Sequence, residues 1–204
     1  AWCLVLRWWL VLRCCSVRRR HHRLCRRAAR RCDRYPCGVT TQPRPALLVM
    51  DLMYRVVERF ADAGSGPLLE RLAAAVDHAR AASIPVIHVR VAFREGYPEV
   101  SPNNKSFGAL SQAGGLQEEG RETSIVAELA PAPGDVVVTK RRVSAFTGSD
   151  LEVVLRSRGI DTLVLTGIAT SGVVLSTLRE AADRDYRLVL LSDGCLDADL
   201  EVHR

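Results

Sequence analysis

The chain has 204 residues, room for one ordinary domain, and 48% of them are hydrophobic, enough for a sizeable core. Its net charge of +6 is unevenly spread: residues 1–45 hold 12 Arg against one acid, Asp33, a net of +11 that leaves −5 for residues 46–204. Nucleic-acid binding would therefore rest on the first segment alone and is disfavoured, while 7 Cys without regular metal spacing exclude a disulfide scaffold and fit a reducing cytoplasm.

Residues 1–45 have no period that would bury a face. LVLRWWLVLR (4–13) is interrupted by Arg7 and Arg13 and is too short for a bilayer span of ~20 apolar residues. It lacks the basic lead-in of a signal peptide, so no membrane partner is expected. The Arg-run that follows reads as a disordered extension. With no initiator Met and a wording like GC-rich DNA read out of frame, it also reads as non-native sequence. Gln42-Pro43-Arg44-Pro45 is a linker, and the domain is expected over 46–204.

Ala46–Met50 is a compact apolar run ending in Asp51, the pattern of a fully buried parallel strand. Asp51 then sits at the mouth of a sheet; the plain alternative is a helix cap or turn residue. Ser65-Gly66-Pro67 opens a helix whose stripe is Leu68, Leu69, Leu72, Ala75, Val76 and Ala79. Ile84–Val91 is a second strand, with His88 expected to be packed rather than a ligand. Residues 92–133 form a long polar excursion, expected to supply a pocket rim or a subunit interface, with a short helical turn in 124–129.

Val136–Lys140 is the third strand, followed by Arg141 and Arg142 as expected surface charge. Ser149 caps a helix over 150–158 that Gly159 ends. Thr162–Leu165 is a fourth strand, closed by Gly167 and followed by a helix with Val173, Val174, Thr177, Leu178, Ala181 and Ala182 on one face. Arg187–Leu191 is a fifth strand, Cys195 lies on the loop after it, and Asp199–His203 begins a further helix. Strands alternating with helices predict a three-layer α/β/α domain with a parallel, doubly wound sheet. Order 3-2-1-4-5 brings Asp51, Lys140 and the turn Gly167–Val173 to one crevice at the switch point.

These residues carry a resemblance to the isochorismatase-like (cysteine hydrolase) superfamily. Leu47-Leu48-Val49-Met50-Asp51 is similar to its first motif, with Met53 where Gln is usual. Lys140 followed by Ser144-Ala145-Phe146 is similar to its second. Gly167-Ile168-Ala169-Thr170-Ser171-Gly172-Val173-Val174 resembles the strand–turn–helix signature G-[VI]-A-T-x-x-C-V, with Val173 at the position of the nucleophilic Cys. The resemblance implies the order 3-2-1-4-5, a sixth strand truncated here, and a cis peptide at Ile168–Ala169. It implies catalytic roles for Asp51 and Lys140, an oxyanion hole in the turn, and Ile168, Ala169, Thr170, Gly172 and Phe146 against the substrate. The histidines of the zinc-binding relatives are absent after Asp51, so no metal or cofactor is expected.

Val173 cannot attack a carbonyl. Ser171 reads as a helix cap and Ser176 as a residue within the helix, neither with a paired His base. Cys195 is expected to be structural. Isochorismatase itself resembles this chain in lacking the Cys, and hydrolyses a vinyl ether with the Asp as proton donor. The resulting expectation is a hydrolase acting on a small molecule non-covalently through Asp51 and Lys140. The alternative is an inactive member that binds a small molecule or serves as an assembly subunit; a homo-oligomer is expected either way.

Overall fold

The structure, a computed structural model, describes residues 42–203; the expectations for residues 1–41 lie outside them. Strand β1 (Pro45–Met50) begins where the linker ends. Its residues alternate between two cores, because successive side chains of a strand point to opposite faces. Ala46, Leu48 and Met50 enter one, and Leu47 and Val49 the other. Both faces are covered, which explains why the run is apolar throughout.

The sheet is parallel, with order β3-β2-β1-β4-β5, from β2 (Val86–Val91), β3 (Val136–Lys140), β4 (Thr162–Ile168) and β5 (Arg187–Leu196). Helix α2 (Ser65–Ala81) covers one face with Leu68, Leu69, Leu72, Val76 and Ala79. Helices α4 (Leu151–Ser157) and α5 (Leu175–Asp183) cover the other, through Leu151, Leu155 and Ala181. The chain's described part closes with α6 (Leu200–His203). No helix of the described residues is long and apolar enough to cross a membrane.

Several expectations change. Strand β5 runs to Leu196, not Leu191: after a register shift between Leu165 and Gly167 it pairs again, Gly167 with Cys195 and Ile168 with Leu196. Cys195 is thus a strand residue, not a loop residue. Gly167 has φ 135, and a Cβ there would lie 2.2 Å from the Met50 carbonyl oxygen, so only glycine lets β4 lie this close to β1. The helix expected from Val173 is two pieces. A wide turn, Thr170–Val174, contains Gly172 at φ −92, ψ −105, and α5 starts only at Leu175.

Two short helices were not foreseen: α1 (Tyr54–Arg59) and α3 (Lys105–Gln112). Neither has a fully buried residue, and at 6 and 8 residues both are shorter than the ~10–12 over which periodicity separates helix from other structure. The helical turn expected in 124–129 is a 3₁₀ turn over Ala127–Leu129.

Candidate active site

Asp51 follows β1 at φ 59, in the left-handed region that Asp tolerates better than most residues. Its N–H still donates to the Val89 carbonyl at 2.8 Å, so the kink comes right at the sheet's carboxyl edge. Lys140, the last residue of β3, reaches it there: Nζ lies 2.9 Å from Asp51 Oδ2. Both are buried, Asp51 at 7% exposure and Lys140 at 2%.

The Lys140 ammonium also donates to the carbonyls of Arg142 at 3.1 Å and Val143 at 2.9 Å. An ammonium has three N–H donors, and all three are occupied. Asp51 Oδ1, in contrast, is buried with no partner. Burial raises the Asp51 pKa above the ordinary carboxylate range, and the Lys140 charge and hydrogen bond pull it only partly back.

A cavity of about 620 Å³ opens over this pair. Buried Asp51, Lys140, Ile168 and Val173 line it together with half-buried Ala169 and Gly172, and Phe107, Leu110 and Leu116 of the long excursion form a wall. Exposed Arg55, Glu58 and Arg59 of α1 stand at its rim. Among the described residues the lining holds no Ser, Thr, Cys, Tyr or His, and no cluster of metal-ligating side chains occurs.

The turn beside the cavity is fixed from β5. Asp197 Oδ2 accepts from Ser171 N–H at 2.8 Å and from Ser171 Oγ at 2.7 Å, and Oδ1 accepts from Ala198 N–H at 2.8 Å. Burial would raise the Asp197 pKa, but these hydrogen bonds outweigh it and hold the carboxyl below its ordinary value. Ser171 is therefore a tether to Asp197, not a cap. The Ile168–Ala169 peptide is cis.

Of the expected substrate contacts, Ile168, Ala169 and Gly172 line the cavity, and so does Val173 at 2% exposure. Thr170 does not; its hydroxyl lies 2.8 Å from Nδ1 of His203. Phe146 is not at the cavity either. It is a core residue, its ring 5.9 Å from that of Tyr186 and capped by the Arg184 guanidinium at 4.8 Å. Ser176 lies within α5, away from the lining.

Arg141 and Arg142 are not idle surface charge. The Arg141 guanidinium donates to the Ala92 carbonyl and to Glu118 and lies 3.5 Å from Glu99, and Arg142 Nη2 donates to the Glu99 carbonyl at 2.8 Å. They fasten the excursion that walls the cavity to the end of the strand that carries Lys140. Nothing in the local pattern announced this, since two arginines after a strand look the same whether solvated or buried. Asp197 was missed because it fell beyond the expected strand, and Arg55 and Arg59 because α1 itself was not foreseen.

This crevice architecture has known counterparts, and residues 45–204 match the profile of the isochorismatase domain. The chain belongs to the isochorismatase family of hydrolases. A ureidoacrylate amidohydrolase of Stutzerimonas stutzeri is 36% identical over 194 residues, covering 81% of this chain and 78% of that protein. One from Methylobacterium radiotolerans is 38% identical over 158 residues, covering 71% of this chain and 61% of that protein. The chain thus spans about three fifths of the length of that relative. A cysteine hydrolase from Pseudomonas syringae pv. phaseolicola superposes with a TM-score of 0.69 at 27% identity, covering 76% of this chain and 73% of that one.

Proposed function

We propose that this family member hydrolyses a small amide or ureido compound by direct attack of water, without an acyl-enzyme. The observation that carries the reading is the unequal state of the two buried charges. Lys140 has no donor left for a substrate, whereas Asp51 Oδ1 is an acceptor without a donor beside the cavity. An unfilled acceptor there calls for an O–H or N–H donor. Asp51 takes a proton from water while the water oxygen bonds to the substrate carbonyl carbon, and returns that proton to the nitrogen as the C–N bond breaks. The Lys140 charge favours the ionised carboxylate needed for this role. The direction differs from vinyl-ether chemistry, where Asp51 would have to start protonated. The names of the amidohydrolase relatives support a carbonyl substrate.

Asp51→Asn removes the base and keeps the shape, so turnover should fall by ~10²–10⁴ with an unchanged melting profile. Screening amides, ureido compounds and vinyl ethers by product release supplies the assay. Turnover of vinyl ethers alone, or undiminished turnover in Asp51→Asn, would sink this mechanism. A second reading is favoured by Val173, which closes the cavity with an apolar side chain where the sequence resemblance expects the thiol. On that reading the cavity binds a small molecule and releases it unchanged, and the same screen returns saturable binding without product.

A further inference from the structure

Strand pairing fixes the backbone of Lys140 but not its charge. Lys140 stands beside Val91 of β2 in the sheet, yet its ammonium sits at the end of a flexible four-carbon stem. The direction of that stem comes from three acceptors: Asp51 Oδ2 at 2.9 Å, and the carbonyls of Arg142 at 3.1 Å and Val143 at 2.9 Å. Two of the three belong to the loop of residues 141–149. Lys140 therefore stays aimed at Asp51 only while this loop keeps both carbonyls turned back toward β3.

The loop is closed on itself and pinned at one buried point. Gly148 has φ 74, and a Cβ there would lie 2.9 Å from Cβ of Arg141, so the loop's end folds back on its start. Ser149 Oγ donates to the Ala145 carbonyl at 2.6 Å, again within the loop. Val143 is 40% exposed and gains little from packing. Two residues further on, the Ala145 N–H donates to Thr177 Oγ1 at 3.0 Å, with both residues at 0% exposure. Thr147 also reaches α5, at Glu180, but in a contact open to water. Thr177 lies in α5, which begins directly after the turn that carries Val173. One buried hydroxyl thus joins the loop that aims Lys140 to the helix behind the turn at the cavity.

We propose that Thr177 is a positioning residue for Lys140: by accepting from Ala145 it holds the 141–149 loop in the shape whose Arg142 and Val143 carbonyls direct the ammonium onto Asp51. The proposal rests on the reading of the Asp51–Lys140 cavity as the functional site and adds to it the group that sets the pair's geometry. The plain role of Thr177 is to satisfy a buried N–H that is costly to leave unpaired. Losing that role alone lowers stability and leaves the charges at the cavity where they are. Losing the positioning role moves Lys140 away from Asp51.

The test is the titration of Asp51 in the folded protein, followed by carbon-13 NMR of labelled aspartate carboxyls and assigned by the resonance lost in Asp51→Asn. Lys140 is the charge that lowers the Asp51 pKa, while Arg55, Glu58 and Arg59 stand further out, at the cavity rim. Thr177→Val keeps the size and removes the acceptor. Its Asp51 midpoint should rise by about half a pH unit or more, a roughly threefold gain in proton affinity, toward that of Lys140→Met. Thr177→Ser keeps the oxygen and should titrate like the wild type. Leu155→Val loosens the same core from α4 and should lower the melting temperature without moving the midpoint. An unmoved midpoint in Thr177→Val, or an equal rise in Leu155→Val, would overturn the assignment. If Thr177→Val does not fold, Thr177→Cys, whose sulfur is a weak acceptor, is read the same way. Loss of the fold in both reduces Thr177 to a core residue and ends the proposal as well. No substrate enters this measurement, so it fails separately from the hydrolase reading. Undiminished turnover in Asp51→Asn removes the hydrolase mechanism and leaves a Thr177-dependent midpoint standing. An unmoved midpoint beside Asp51-dependent turnover removes only the positioning role.

Discussion

Strand β3 carries a buried charged group at each end, and the two are resolved in opposite ways. Asp135, just before the strand, has a side chain only 7% exposed, yet its Oδ2 accepts from Arg80 at 2.6 Å and the Ala132 N–H at 2.9 Å, with His88 Nε2 at 3.4 Å. Burial would raise the Asp135 pKa, but these partners hold it below the ordinary range. Lys140, at the other end, fills its own donors and leaves Asp51 with one oxygen unpaired and its pKa raised. His88 Nδ1 is also unpartnered, but it does not line the cavity. A buried charge surrounded by partners strengthens a fold. One that is left half satisfied beside a cavity is held ready for something the fold does not supply.

The largest effect expected from breaking this contrast is at Lys140. Lys140→Met leaves the Asp51 carboxylate buried without its cation and should destabilise the protein by about 3–5 kcal/mol, as for other broken buried pairs. Adding Asp51→Asn should recover much of that loss, since a neutral amide needs no counter-charge. Urea unfolding of the single and double variants checks it; equal losses in both would show that the three hydrogen bonds of Lys140, rather than the charge, hold the edge together.

At the other end of the strand, Asp135→Ala removes contacts but no cavity group. A loss of roughly 1–3 kcal/mol is expected for unpairing hydrogen-bonded buried partners, with kcat and ligand affinity unchanged. A drop in kcat would mean that the two ends are coupled.

A smaller effect separates the ends by pH. Burial lowers the His88 pKa from its usual 6.5, with the Asp135 hydrogen bond and charge opposing and Arg80 assisting the shift. The folded state then binds fewer protons than the unfolded state. This part of the stability is complete above pH 6.5 and is lost as pH falls through the folded value, by at most about 1.4 kcal/mol per pH unit. Asp51 has the opposite sign: its raised pKa gives a contribution present below 3.8 and lost as pH rises through the folded value. Melting temperatures from pH 7.5 to 5.5 should show the acid-side loss in the wild type and a flatter profile in His88→Gln. For turnover, the acid limb should lie above the ordinary carboxylate range and move higher in Lys140→Met, which removes the groups that lower the Asp51 pKa.

The smallest expected effect is at the domain's lone thiol. Burial pushes the Cys195 pKa up to about 11, and the residue is only 3% exposed. Folded protein at pH 8 should resist iodoacetamide at Cys195, and Cys195→Ser should leave turnover within about twofold, as for a change that touches no substrate. Rapid alkylation would place a reactive thiol where the structure has a strand.

The sheet was legible because its strands are short apolar runs between turn signals, a pattern that burial on both faces demands of the central β1, β2 and β4 and that the partly exposed edge strands β3 and β5 share. The placement of Asp51, Lys140 and the 167–173 turn at one edge followed from strand order, which the alternation of strands and helices suggested as a doubly wound sheet and the family resemblance reinforced. The helices α1 and α3 were not legible, since 6 and 8 residues are too few for a helical period to stand out. Nor was the extent of β5, which depends on a register shift that only the neighbouring β4 sets. The sequence by itself determined the parallel α/β fold, the family and the absence of a thiol at residue 173, because these depend on local apolar runs and on residue identity. Only the tertiary structure decided that Phe146 belongs to the core, that Arg141 and Arg142 fasten the cavity wall, that Asp197 holds the turn, and that Lys140 is saturated while Asp51 is not. Each of these depends on which atoms from distant parts of the chain come within hydrogen-bonding distance, and no stretch of sequence encodes that alone.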